Sequence, residues 1–114
     1  MSLTFTAPTA GEAVSAGSVT VTVNYVGPPL VEAASATKLE DYHLHYFLDV
    51  DTTPYIGTTV PIPVGNPRIM HTAATRVTFD NVDAGSHSLA VVMTGSNHIS
   101  LNPPVAEQES FTVR

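Results

Sequence analysis

The chain has no cysteine. That excludes a disulfide scaffold, a thiolate metal site and a cysteine nucleophile. Basic residues are also scarce: four Lys and Arg stand against ten Asp and Glu, for a formal charge of −6. Lys38, Arg68, Arg76 and Arg114 are scattered along the chain. No patch exists that would neutralise phosphates, so neither nucleic acid nor an anionic membrane surface is an expected partner. No apolar run approaches the ~20 residues of a membrane-spanning helix, so membrane insertion is not expected. Helix signals are nearly absent, because nine prolines and seven glycines punctuate the sequence and leave little room for helical turns. Catalytic motifs are missing too: there is no Gly-x-Ser-x-Gly, no phosphate-cradling glycine loop and no His-Glu-x-x-His. A dyad such as His98 with Asp83 is the most that a catalytic reading finds, and any chain with five histidines offers such pairs. The chain is not expected to be an enzyme.

What remains is strand signal. The length of 114 residues is that of one domain, 1–114, large enough to fold without disulfides. Leu3 to Ala7 opens as a short edge strand, and Gly11 to Gly17 reads as a turn around Val14. Ser18 to Val26 alternates strictly, with Val19, Val21, Val23 and Tyr25 on one face, as a half-buried antiparallel strand does. Leu30 to Asp41 reads as a long loop with one helical turn. Tyr42 to Val50 carries Leu44, Tyr46 and Leu48 against His43, His45 and Phe47; both faces hold large groups, so the strand is expected to be central. Asp51 to Pro67 is broken by prolines and supplies at most an edge strand near Thr58 to Ile62, where proline is tolerated. Arg68 to His71 pairs briefly. Thr75 to Val82 and Ser86 to Thr94 follow as strands, Gly95 to Pro104 is a polar loop, and Ser110 to Arg114 closes the chain. About seven or eight short strands with frequent turns describe an all-β, antiparallel immunoglobulin-like sandwich with little or no helix. Val21, Val23, Leu48, Phe79, Leu89 and Val91 are its expected core.

The chemically pointed residues are His43, His45, His71, His87 and His98. His43 and His45 are two apart on a strand and therefore share a face, with Cβ atoms roughly 7 Å apart. That spacing suits two ligands of one ion. In immunoglobulin topology the third and penultimate strands are antiparallel neighbours. The loop after the penultimate strand then brings His98 near His43. His71 precedes a strand and sits at either end of it. Each histidine alone is also accounted for by solvation or by a backbone hydrogen bond. His87 is the clearest such case, because it stands where a corner tyrosine of immunoglobulin-like domains would stand. Asp41, Asp49 and Asp51 flank the same strand; they either complete a metal site or orient a ligand, or serve turns. Met70 and Met93 are soft donors that favour Cu(I); Met93 alternates with Leu89 and Val91 and belongs to the core, while Met70 stays open.

The sequence starts Met1-Ser2-Leu3-Thr4-Phe5 and runs directly into a strand-like pattern. A cytoplasmic chain and an exported one whose leader was removed both fit that start. The body is rich in Thr, Ser, Val, Ala and Pro and poor in Lys, which favours a periplasmic or secreted protein.

From Tyr42 onward the chain resembles a group of small, mostly exported bacterial domains of unknown function. The residues that carry the resemblance are His43-Leu44-His45-Tyr46-Phe47-Leu48-Asp49, then Ile69-Met70-His71. Val82-Asp83-Ala84-Gly85-Ser86-His87-Ser88-Leu89 follows, then Asn97-His98 and Pro103-Pro104. All five histidines fall on the group's histidine positions, which implies a shared site or a shared structural network. The chain departs in having Met70 between Ile69 and His71, and in a proline-rich insert before them; His71 is the member this puts in doubt.

Two functions are therefore expected from different classes. The first is a transition-metal site, for copper or zinc, built from His43 and His45 with His98 and with His87 or His71. Neutral imidazoles suit both ions, and three of them leave an open position. Binding needs deprotonated rings, so affinity is expected to fall below about pH 6. The alternative is a structural or adhesive accessory module without metal, its histidines forming a hydrogen-bond network.

Overall fold

A computed structural model describes all residues from Met1 to Arg114. Eight strands follow in order: β1 (Ser2–Ala7), β2 (Ala13–Val14), β3 (Gly17–Val26), β4 (His43–Leu48), β5 (Ile69–Thr72), β6 (Arg76–Val82), β7 (Gly85–Thr94) and β8 (Ala106–Val113). The one helical element is a three-residue turn at Ala33–Ser35. The strands form a sheet of order β1-β3-β6 and a second of order β2-β8-β7-β4-β5. This is a two-sheet, immunoglobulin-like sandwich, with the third and penultimate long strands adjacent.

Alternation sets the layers. Val19, Val21, Val23 and Phe79 of one sheet meet Leu44, Tyr46, Leu48, Leu89, Val91, Met93 and Phe111 of the other in a single buried cluster. All six expected core residues are buried. β4 is central, as its two-faced pattern predicts: all six of its residues are buried, and it lies between β5 and β7.

Three expectations need correction. Ala13–Val14 is not merely a turn but a short strand, paired in parallel with β8, so the sandwich is not wholly antiparallel. β8 begins at Ala106 rather than Ser110. The polar run Glu107-Gln108-Glu109 conceals its start, because β2 reaches only Thr112 and Val113, leaving that stretch of β8 paired on one side. The edge strand near Thr58 to Ile62 does not form. The segment instead crosses the outer face of the five-stranded sheet, where Ile62, Tyr55 and Ile56 pack on Phe47, Ile69, Ala90 and Val92 as a second apolar cluster. Prolines remove ladder donors there, and the Ile62 N–H donates to the His98 carbonyl (2.8 Å).

Candidate metal centre

The outer face of the five-stranded sheet, beside that second cluster, holds the site. Opposite parity to Leu44 and Tyr46 turns His43 and His45 away from the inter-sheet core. Both rings are nonetheless fully buried, at 0 % exposure. In register, His43 faces Thr94 of β7, and His45 lies between Val92 of β7 and His71 of β5.

His98 comes from the loop after β7. Gly95 and Asn97 shape that loop: His98 N–H donates to the Gly95 carbonyl (3.0 Å), and Ile99 N–H to Asn97 Oδ1 (3.1 Å). A Cβ at Gly95 would stand 2.9 Å from the Leu39 carbonyl oxygen, so glycine is required for the approach. His98 itself is left-handed, with φ of 63°, a conformation uncommon outside glycine and one that histidine, asparagine and aspartate adopt more often than other residues. The loop so held aims His98 Nδ1 at the strand pair, 3.2 Å from His43 Nε2 and 3.4 Å from His45 Nε2.

His43, His45 and His98 therefore offer three nitrogens within 4.8 Å of one another. Nitrogens bound at about 2.0–2.1 Å to a tetrahedral zinc lie roughly 3.4 Å apart, so two of the three edges already have the span of a ligand set. The electrostatics agree. Burial, and after it charge on His98 and His71, lowers the pKa of His43 to about 4. Burial, and then His43 and His98, lowers that of His45 to about 2. His98 is lowered as well, by burial and then by His71. The rings are therefore neutral at pH 7, the protonation state that a metal ligand needs.

Hydrogen bonding also connects these rings. Thr94 Oγ1 donates to the Gly95 carbonyl (2.8 Å) and is thereby left to accept from His45 Nε2–H (3.2 Å). His98 Nδ1 can likewise accept from His43 Nε2–H. The Nδ1 atoms of both His43 and His45 are buried without any partner. Thr94 carries no signal of this role in the sequence beyond its place at a strand end.

The other expected ligands separate. His71 is exposed but near, its ring centre 5.9 Å from that of His45 and 5.7 Å from that of His98. His87 lies at the opposite end of β7 and does not join the cluster. Its Nε2–H donates to the Asp83 carbonyl (2.7 Å) and its Nδ1–H to Asp49 Oδ2 (2.6 Å). Its ring stacks on Phe111 at 5.5 Å. This is the backbone-bonded corner that its position implies. Burial opposes charge on that ring, but the Asp49 carboxylate and the Asp83 carbonyl outweigh it and raise the pKa. Asp49 is thus a corner residue, and Asp83 lies far along β7 from His98. Asp51 and Asp41 serve turns, accepting from Thr53 N–H and from Thr37 and Lys38 N–H. Met70 packs against the inter-sheet core, as does Met93; neither shares the outer face with the histidines.

Compared with known proteins, the chain matches no family model and no curated protein.

Proposed function

We propose that this domain is a metal-binding module that holds one copper or zinc ion through His43, His45 and His98. The observation that carries this reading is the meeting of three ring nitrogens at His98 Nδ1, at 3.2 and 3.4 Å, from one central strand and a loop braced by backbone bonds. A donor set of neutral nitrogens without thiolate or carboxylate suits copper and zinc, and excludes the oxygen preference of magnesium or calcium. The role is carriage or sensing rather than turnover, in a periplasmic or secreted setting; the second part rests on composition and on the resemblance to exported histidine-rich domains.

One observation favours the alternative of a metal-free structural module. Thr94 satisfies His45 Nε2 directly, and a ring bound to metal through Nε2 would leave its buried Nδ1–H without an acceptor, against the usual outer-shell pattern. Elemental analysis of the purified protein separates the two. One equivalent of copper or zinc per chain, removed by chelator and restored on reloading, supports the metal module. Protein free of metal that also fails to take any up on reloading leaves the hydrogen-bond network as the function of the cluster.

A further inference from the structure

A fourth ring belongs to this cluster by geometry. The ring centres of His43, His45, His71 and His98 form six pairs, and all six distances fall between 4.6 and 6.1 Å. With bonds of about 2.0–2.1 Å to a tetrahedral ion and ring centres about 1 Å beyond the bound nitrogens, any two ring centres stand about 5 Å apart. Four imidazoles with near-equal mutual spacings are what such an ion requires.

The four rings differ in freedom. His43 and His45 are fully buried on a central strand, and His98 is held by its loop. His71 is exposed and sits on β5, the outermost strand of its sheet. It lines a groove of about 570 Å³ with Ile69, Thr72 and Val77, so its side chain has room to turn. The set of nitrogens within 4.8 Å of one another consists of His43, His45 and His98, so His71 must swing inward to join it.

We infer that His71 is the exchangeable fourth ligand of the centre, closing over an ion seated on His43, His45 and His98 and turning out to release it. This rests on the three-histidine reading above and adds the residue that controls access. Of the four rings, His71 on the edge strand β5 is the exposed one, so the route of exchange in this account runs past it.

The test uses the full chain with Co(II) as a spectroscopic probe and Zn(II) in competition with a chromophoric chelator. His71→Ala removes an exposed side chain and leaves the fold intact. It is expected to retain one ion per chain, with Zn(II) affinity lowered at least about tenfold and an altered Co(II) visible spectrum. Added imidazole, entering where His71 stood, is expected to restore the wild-type spectrum. Unchanged affinity and spectrum in His71→Ala, while His43→Ala/His45→Ala abolishes binding, would overturn the role of His71 and leave the three-histidine centre standing. Wild-type protein that binds neither ion would overturn both.

Discussion

The main-chain N–H of Ile62 donates to the carbonyl of His98 across 2.8 Å, tying the proline-rich strap to the loop that presents the third imidazole. The Ile62 side chain is itself buried, at 2 % exposure, among Phe47, Ile69, Ala90 and Val92. One residue thus roofs the outer cluster and braces a candidate ligand.

Ile62→Ala should therefore affect both fold and site. Truncating a buried isoleucine costs about 2–5 kcal/mol, to be read by urea unfolding. Metal affinity should also fall, although every histidine is kept. Loss of stability with unchanged affinity would show that the strap does not position His98.

Acid should destabilise the metal-free protein through the buried histidines. His43 and His45 have folded-state pKa values below the ordinary 6.5. Under acid the unfolded chain takes up protons that the folded one refuses. Stability is then full above about pH 6.5 and falls as pH drops toward about 4 by about 1.4 kcal/mol per pH unit for each such ring. His87, raised instead, acts with the opposite sign and is smaller in effect because Asp49 is 44 % exposed. Urea unfolding in chelator at about pH 7.5 and pH 5 should show a steep loss for wild type and a shallower one for His43→Leu/His45→Leu. Equal slopes would mean that the rings are not buried in the neutral form.

The Asp49–His87 corner is a stability element. Asp49 accepts from His87 and from Ser88 N–H (2.9 Å), and it is left-handed, with φ of 58°. Asp49→Ala loses both bonds and puts alanine in a left-handed conformation that aspartate and asparagine tolerate better; it should cost about 1–3 kcal/mol. Asp49→Asn keeps an acceptor and the backbone preference, and should cost less. Thermal unfolding reads both, and metal affinity should be the same in both, because His87 lies apart from the cluster.

Much of this arrangement is legible in the residues. Strict alternation over Val19, Val21 and Val23 marks β3. The pairing of apolar and histidine faces in His43 to Leu48 marks a central strand with a second occupied face. Antiparallel adjacency of the third and penultimate strands carries His98 to His43. The strap is not legible, because residues 51 to 67 bury their apolar groups through irregular backbone, and period-based reading sees only regular elements. The full burial of His43 and His45 on the sheet's outer face escapes the pattern too. His87 was separable from the others only through its place at the corner, and its Asp49 partner lies too far off in sequence for local spacing to reveal.

The central claim is that His43, His45 and His98 hold an ion, and calorimetric titration of the full chain with Zn(II) and Cu(II) at about pH 7.5 tests it most directly. Wild type should bind one ion per chain. His43→Ala/His45→Ala, with its strand content verified by circular dichroism, should lose that binding. Equal binding by the folded double variant, or none by wild type, would contradict the account.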